Sequence, residues 1–452
     1  MTPAGAALAA SRGRRTLLVG LVVCAAALVV GVPLARAAPG SLVWQRHYNG
    51  TGNGEDVFTA LAPAPNGGVY VGGYTKAGSV DFVTARYDAN GQRRWLRTYN
   101  GTGDGFDQLT AAAADGKDLV VVGYSPTVSG SVVTLIIKYG PGGKRLWVRS
   151  FGSSTLIPDV NQHAAVDSHG NIFVAATEYD PATSYNMALA KYSSSGRRLW
   201  VRRHEGAGAD IIGGLALDTA GNAYITGTSF AAATGYDVLT IKYGPSGRRR
   251  WARRYDDGAN ESGGAIAVSK TRVYVAGSAS DGSGGLDTLL LEYTRAGTMT
   301  GSTSSGGAPG TNDLYQGLAL LSSGRLVAVG ELYLGTTNLE DMLIDAFTPA
   351  GASAWRQTYN GTASENDQAD QVAAGPAGTA YVVGTSQTAA GGDVVTQKLD
   401  SSGNTLWAST YSGAGAGTQD YSLIVVGRRS VYVAGSQQAG SANDGFLLRY
   451  RP

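Results

Sequence analysis

Pairs and triplets of basic residues recur at one position in the first half of the chain, just before a tryptophan. Together these side chains could bind an anionic polymer such as an acidic glycan, although a charged cluster can also be an ordinary solvated face. The matching positions in the second half are neutral, as at Ala352-Ser353-Ala354. We call the set the basic arc; it comprises Arg93, Arg94, Lys144, Arg145, Arg197, Arg198, Arg248, Arg249 and Arg250.

Aspartates recur in two sets that could bind a cation. Ca²⁺ takes clustered carboxylates and loop carbonyls, and the glycine-rich segments 49–56 and 100–107 distantly resemble calcium loops. The alternative is that each aspartate accepts hydrogen bonds from backbone N–H groups of its own loop, which a residue repeated in nearly every unit favours. The first set is Asp56, Asp107, Asp159, Asp210, Asp313, Asp367 and Asp420; the second is Asp81, Asp237, Asp287, Asp341, Asp393 and Asp444. The sequence predicts no cofactor and leaves the metal content open, with Ca²⁺ as the candidate.

The composition excludes several classes of protein. The 452 residues include 36 Lys+Arg and 34 Asp+Glu, a formal net charge of +2, so a general nucleic-acid binder is not expected. Apolar residues make up 43% of the chain, which argues against wholesale disorder.

The first 37 residues are predicted to be a secretory signal peptide. Arg12, Arg14 and Arg15 precede an apolar run from 17 to 34, and the small-residue motif Ala35-Arg36-Ala37 follows. We therefore expect an exported chain, secreted or at a bacterial cell surface, that meets a membrane only if this segment stays uncleaved. The single cysteine, Cys24, lies inside this segment, so the mature chain, 38–452, would have no disulfide.

Tryptophan marks an internal repeat of about 51 residues. All seven tryptophans fit one register, and Gly301 occupies the place of an eighth. The units start near Trp44, Trp95, Trp147, Trp200, Trp251, Gly301, Trp355 and Trp407.

Each unit contains four short runs rich in β-branched and aromatic residues, bounded by Gly, Pro, Asn, Asp or Ser. We name these strands a to d; in one unit they are 215–218, 224–227, 237–243 and 251 onward. Four strands per unit at this period predict an all-β, eight-bladed β-propeller. The chain opens on a lone d strand, 42–48, and ends on a c strand, 445–450. The N-terminal strand should therefore complete the last blade in a 3+1 closure, which removes an open sheet edge.

The string Asp-x₅-Tyr/Phe-x₃-Gly-x₃-Trp, with Gly-Asn-x-Tyr-x-x-Gly upstream as at 221–227, resembles the bacterial SBBP β-propeller repeat. The resemblance covers residues 40–450. It implies a secreted or cell-surface propeller and no particular reaction. Because the family is described with seven blades, seven is the alternative to our count of eight.

Motifs for catalysis are scarce. There is no G-x-S-x-G elbow, H-E-x-x-H pair or P-loop. The spacing from Tyr87 to Trp95 is similar to the tryptophan-docking repeat of quinoprotein dehydrogenases, but the vicinal cysteine pair of that family is missing.

The sequence thus favours a monomeric, non-catalytic binding scaffold for a protein or an acidic polysaccharide. The alternative is an enzyme, such as a lyase or hydrolase, with its site at the mouth of a central channel.

Overall fold

Glycine-containing turns separate four antiparallel strands in each unit, as residues 210–255 illustrate. Strands a and b meet at a turn where Gly221 has φ 75°, and strands c and d at a turn where Gly247 has φ 80°. Glycine adopts these left-handed conformations without steric cost. Strands a to c extend further toward the loops than the sequence predicts: strand a begins at Asp210 rather than at 215.

The protein is described from a computed structural model. The described residues are 38–154, 162–334, 339–362, 365–388, 391–413, 422–427 and 429–452. The predicted signal segment, 1–37, lies outside them. Ala38–Pro452 form one compact unit.

Eight four-stranded sheets make up this unit, numbered as blades one to eight. Blade one comprises β2 (Asp56–Pro63), β3 (Val69–Lys76), β4 (Val80–Tyr87) and β5 (Arg93–Tyr99), and blade two comprises β6 (Gln108–Asp115), β7 (Asp118–Pro126), β8 (Val132–Tyr139) and β9 (Arg145–Ser154). Blade three comprises β10 (His163–Val166), β11 (Ile172–Asp180), β12 (Ser184–Tyr192) and β13 (Arg198–His204). Blade four comprises β14 (Asp210–Leu217), β15 (Ala223–Ala231), β16 (Gly235–Tyr243) and β17 (Arg249–Tyr255).

Blade five comprises β18 (Glu261–Val268), β19 (Arg272–Ser280), β20 (Leu286–Thr294) and β21 (Met299–Ser305), and blade six comprises β22 (Leu314–Leu320), β23 (Leu326–Tyr333), β24 (Glu340–Phe347) and β25 (Ser353–Tyr359). Blade seven comprises β26 (Asp367–Ala374), β27 (Ala380–Thr388), β28 (Gly391–Leu399) and β29 (Thr405–Tyr411). Blade eight comprises β30 (Ser422–Gly427), β31 (Ser430–Ala439), β32 (Ala442–Tyr450) and the N-terminal strand β1 (Leu42–Tyr48). Two short 3₁₀ turns, Pro65–Gly67 and Pro376–Gly378, connect strands a and b in blades one and seven.

The blades form a closed ring. Each innermost strand packs against the innermost strand of the next blade, and β30 of blade eight packs against β2 of blade one. The N-terminal strand β1 pairs antiparallel with β32, with Gln45 opposite Leu448 and Tyr48 opposite Gly445. The predicted eight-bladed propeller and its 3+1 closure are confirmed, and the seven-bladed alternative is wrong.

The hydrophobic core lies between the blades. One cluster, for example, joins Phe173 and Leu189 of blade three to Ile225 and Ile241 of blade four. Seven further clusters repeat this arrangement around the ring. Because each sheet is covered on both sides, its strands are apolar on both faces.

In six of the eight blades, the tryptophan of the outermost strand is bonded to the c–d turn of the next blade. In blade three the indole N–H of Trp200 donates to the Pro245 carbonyl (3.1 Å), and Arg202 Nε donates to the Gly247 carbonyl (2.7 Å). The Arg202 guanidinium also lies 5.7 Å from the indole centroid, within the range of a cation–π interaction. The tryptophan bond recurs from Trp44, Trp95, Trp147, Trp251 and Trp355. Trp407 is buried on the corresponding strand of blade seven, with Gly40 against its indole.

Candidate functional site

All nine residues of the basic arc are exposed. They occupy the c–d turns of blades one to four and the first residues of the outer strands β5, β9, β13 and β17. These four blades are consecutive in the ring, so their turns follow one another around one half of one face. In blades five to seven, the positions that match the basic arc are neutral, and these turns lie on the other half of the face.

Most of this charge is not neutralised by nearby carboxylates. Arg94 forms an ion pair with Asp88 of its own turn. Within the described ranges, the other eight side chains have no carboxylate oxygen within 4.0 Å. An external anion can therefore contact these groups without first displacing an internal carboxylate, although Arg145 also lies over the Tyr99 ring.

The backbone beneath the basic side chains is held in place. In blade four, the Gly247 N–H donates to the Gly244 carbonyl (2.8 Å) and the Gly244 N–H to the Arg248 carbonyl (2.9 Å). The indole of Trp200 packs against Gly247 from the preceding blade. The arginine side chains are thus carried on a fixed backbone, which limits the conformational entropy lost on binding.

A cleft of about 410 Å³ lies within this surface, between the outer strand of blade two and the c–d turn of blade three. Arg197 and Arg198 line it together with Arg149 and Tyr192. Arg149 Nε donates to the Gly196 carbonyl (2.7 Å), which fixes its guanidinium at the edge of the cleft. Arg149 is not among the residues predicted from the sequence, because it lies two positions after Trp147 on the outer strand rather than in a c–d turn.

The a–b turns lie on the same face as the c–d turns. Arg86 shows this directly, because its guanidinium donates both to the Pro65 carbonyl in the a–b turn of blade one (3.4 Å) and to the Pro141 carbonyl in the c–d turn of blade two (2.9 Å). The d–a and b–c loops, which hold the repeated aspartates, emerge on the opposite face.

The aspartates before strand a are structural, as the loop interpretation predicts. Asp56 is fully buried and accepts hydrogen bonds from the Gly50 N–H (2.6 Å) and the Thr75 hydroxyl. In blade four, Asp210 accepts equivalent bonds from Gly206 and Ser229. The same burial and glycine bond recur at Asp107, Asp313 and Asp367. Asp159 and Asp420 lie outside the described residues.

Burial also affects the ionisation of these carboxyls. It raises the pKa of Asp107 and of Asp367, in spite of the hydrogen bonds that each accepts. In this first set, the burial and the hydrogen bonds of Asp56, Asp107, Asp210, Asp313 and Asp367 support the loop interpretation over cation binding. In the second set, Asp81, Asp287, Asp393 and Asp444 are half-buried and Asp237 and Asp341 are buried.

Blade five departs from the pattern. Glu261 stands where the other blades have aspartate, and Ala279 pairs with it where Thr75 or Ser229 would offer a hydroxyl. The pKa of Glu261 is raised to about 8, mainly by burial and to a smaller extent by the neighbouring Asp257 carboxyl. The sequence analysis did not single out Glu261. Aligning Tyr255-Asp256-Asp257 with Tyr48-Asn49-Gly50 would have shown that the loop before Glu261 has carboxylates where the loop before Asp56 has an amide and a glycine.

Across the described part of the chain, no helix has the length and apolar character needed to cross a membrane.

Comparison with known proteins finds the repeat family and distant structural likenesses. A family model described as Beta-propeller repeat (SBBP) matches residues 199–229, from strand d of blade three to strand b of blade four. No curated protein matches the sequence of this chain.

Three solved structures illustrate the structural likenesses. A polysaccharide lyase, Uly1, has a TM-score of 0.49 at 12% identity, over 92% of this chain and 94% of that one. A protein of unknown function from Dyadobacter fermentans has a TM-score of 0.43 at 11% identity, over 92% and 100%. A puromycin hydrolase S511A mutant in complex with PGG has a TM-score of 0.42 at 14% identity, over 85% and 59%. The chain is thus an eight-bladed β-propeller that carries an SBBP-type repeat in residues 199–229.

Proposed function

We propose that this propeller is a binding scaffold that holds an acidic polysaccharide on the basic arc, at or outside the cell surface. The observation that carries the proposal is the set of eight exposed cationic side chains without a carboxylate partner on consecutive turns. The protein acts by binding, with no chemical step on the ligand.

A polymer suits this surface better than a small anion. Each turn offers two or three cations, and the four turns follow one another around the ring, so a long polyanion can contact several turns at once. Each contact is individually weak in water, because exposed charges are screened by salt. Once one contact with the polymer has formed, the remaining contacts form within the same complex, so the overall affinity exceeds that of any single contact.

The cleft between blades two and three provides a specific binding site within the basic arc. Arg149, Arg197 and Arg198 surround it, and Tyr192 forms part of its wall. Guanidinium groups bind carboxylate and sulfate oxygens through paired N–H donors, which Lys cannot reproduce. A single uronate or sulfated sugar of the polymer would occupy this cleft.

Binding to immobilised polygalacturonate and heparin at several salt concentrations tests the proposal. The variant Arg248→Gln/Arg249→Gln/Arg250→Gln removes one turn's charge without touching the buried contacts of Trp251. We expect about tenfold weaker binding at low salt, and a smaller loss as salt rises. Substituting Arg197→Gln/Arg198→Gln should weaken binding at least as much and should reduce discrimination between the two polymers.

A matched control removes three cations from the same face but from other blades: Lys270→Gln/Arg325→Gln/Arg429→Gln, in the a–b turns of blades five, six and eight. This control should bind as the unaltered protein does. Equal losses in both triple variants would show that only the net charge matters and would overturn the assignment to the basic arc. Retention that does not change with salt would also overturn it, as would binding to acidic proteins but to neither polysaccharide.

A further inference from the structure

Three carboxylates meet on the face opposite the basic arc, between blades four and five. Asp237 is the third residue of strand c in blade four. Asp256 lies in the loop between the two blades, and Glu261 is the first residue of strand a in blade five. One oxygen from each of the three lies within 4.8 Å of the others. Within the described ranges this is the one group of three or more acidic, histidine or cysteine side chains with such spacing.

Blade five departs from the repeat at two positions beside this group. The loop that reads Tyr48-Asn49-Gly50 before blade one reads Tyr255-Asp256-Asp257 here, so Asp257 replaces a glycine that the loop before blade four also has, as Gly206. Glu261 replaces the aspartate of the other blades. The position of Asp256 also holds a carboxylate in the preceding loop, as Glu205, but only here does it face a buried glutamate.

Burial without hydrogen bonds distinguishes this site from an ordinary acidic cluster. Glu261 is only 2% exposed, and within the described ranges no group forms a hydrogen bond with either of its carboxylate oxygens. The carboxyl and the backbone N–H of Asp257 lie beside it without hydrogen-bond geometry. Asp237 is fully buried, and its Oδ1 likewise has no hydrogen-bond partner among the described residues. A buried carboxylate oxygen without a donor is costly, so a ligand that satisfies both groups would stabilise the fold.

Asp237 is oriented by its other oxygen. Its Oδ2 accepts hydrogen bonds from the Thr234 hydroxyl (2.8 Å) and from Arg254 Nη1 (2.5 Å), which leaves Oδ1 directed away from both. Asp256 is exposed, and its Oδ1 accepts a bond from the Gly258 N–H (2.8 Å). Arg254 pairs with Asp237, whereas Asp256, Glu261 and the nearby Asp257 carboxyl have no cation of their own among the described residues, so a divalent cation would offset most of the remaining negative charge.

We propose that Asp237, Asp256 and Glu261 bind one Ca²⁺ ion in the loop between blades four and five. All three ligands are hard oxygen donors, which Ca²⁺ prefers and which Zn²⁺ or Cu²⁺ would share with nitrogen or sulfur. Two oxygens bound to the same Ca²⁺ at about 2.4 Å can be no more than about 4.8 Å apart, so the spacing of the group fits a single ion. The open side of the loop admits water to complete the coordination.

The ion would join two blades. Asp237 belongs to blade four and Glu261 to blade five, while Asp256 lies on the connection between them. Ca²⁺ would therefore hold this junction from the loop face, opposite the indole of Trp251, whose N–H donates to the Arg295 carbonyl in the c–d turn of blade five (3.1 Å). The inference is independent of the basic arc, and either can fail without the other.

Calorimetric titration of the purified protein with CaCl₂, after removal of metals with EDTA, tests the site. We expect one site with a Kd of about 1 mM or tighter. Asp256→Asn, at the exposed edge, should weaken Ca²⁺ binding at least about fivefold, and Glu261→Gln should abolish it. Saturating Ca²⁺ should raise the thermal midpoint of the unaltered protein and leave that of Glu261→Gln unchanged.

Glu205→Gln is the matched control, because Glu205 is the exposed carboxylate at the position of Asp256 in the preceding loop. It should leave Ca²⁺ binding unchanged. If Glu261→Gln does not fold, the comparison of Asp256→Asn with Glu205→Gln decides the question. Absence of saturable Ca²⁺ binding would overturn the proposal, as would equal affinity in Asp256→Asn and Glu205→Gln. Equal binding of Mg²⁺ would overturn the assignment to Ca²⁺.

Discussion

The indole of Trp95 lies directly on Gly143 of the following blade, so closely that a Cβ on Gly143 would be 2.7 Å from the indole Cδ2. The Trp95 N–H reaches the Pro141 carbonyl (3.0 Å), and Arg97 Nε reaches the carbonyl of Gly143 itself (2.9 Å). Gly143 also has φ 80°. The turn that carries Lys144 and Arg145 thus depends on a residue with no side chain.

Gly143→Ala should therefore lower the free energy of unfolding by about 2–4 kcal/mol, because the new methyl group meets the indole and alanine is strained at this φ. Urea unfolding, with an unchanged slope, measures the loss. Gly142→Ala is the control: it lies in the same turn, with no atom within 4 Å of its Cβ position. We expect its effect to stay within about 0.5 kcal/mol. Equal losses at the two positions would contradict the contact.

Blade five replaces the indole with a carboxylate. Gly301 stands at the tryptophan position, and Glu292, its cross-strand partner, extends over Gly351 of the next blade. Glu292 is 4% exposed, and its Oε2 lies 2.9 Å from Arg272 Nη1. Burial raises the pKa of Glu292, while Arg272 lowers it. An ion pair therefore fills the gap that the missing tryptophan leaves.

Arg272→Ala should destabilise the protein by about 2–3 kcal/mol at pH 8, because it leaves a buried carboxylate without its cation. Near pH 4 the loss should be smaller, since Glu292 is then largely protonated in the folded and unfolded states alike. Thermal or urea unfolding at the two pH values measures the difference. The double variant Arg272→Ala/Glu292→Gln should recover part of the loss at pH 8. A loss that is the same at both pH values would refute the role of the Glu292 charge.

The architecture could be predicted from the sequence because it depends on local patterns that repeat. The tryptophan period defines the units, and the four apolar runs in each define the strands. The closure follows from the ends of the chain, since Leu42–Tyr48 is a strand without a blade and Ala442–Tyr450 is the last strand of an incomplete one.

The contacts between blades could not be predicted in the same way, because they join residues about 45 positions apart through strand register. Glu292 takes the place of the indole, and this becomes evident only from the strand register, which sets Glu292 opposite Gly301. Likewise, Glu261 lacks a hydroxyl donor across the strand pair because Ala279 lies opposite it. The exposure of the basic arc, in contrast, follows from its place in tight turns between adjacent strands.

Deleting residues 38–48 should lower the thermal midpoint by about 5 °C or more and promote association. The deletion removes β1 and leaves the backbone of β32 as an unpaired edge. Thermal unfolding and size-exclusion chromatography measure the two effects. Val43→Thr, at an exposed position of the same strand, should change neither. A truncated protein that stays monomeric with an unchanged midpoint would contradict the closing role of β1.

Asp370 should make stability depend on pH. It is the bulged residue of β26, between Ala369 and Gln371, and its Oδ2 accepts bonds from the Ser422 N–H (3.0 Å) and hydroxyl (2.5 Å) in the next blade. Burial raises its pKa to about 6, despite these bonds. An unfolded aspartate ionises near pH 3.9, so between about pH 4 and 6 the folded state binds more protons than the unfolded state. Stability therefore falls as pH rises through this range.

Asp370→Asn removes this titration, and the difference in unfolding free energy between the variant and the unaltered protein should move by about 2 kcal/mol in favour of the variant from pH 4 to pH 7. Glu331 remains in both proteins, and its pKa is raised to about 7 by burial and by the neighbouring Glu340 and Asp370 carboxyls, so some pH dependence should persist in the variant. The exposed Glu365→Gln is the control and should leave the pH profile unchanged. Parallel profiles for Asp370→Asn and the unaltered protein would mean that Asp370 is already ionised at pH 4, and that its bonds to Ser422 outweigh its burial.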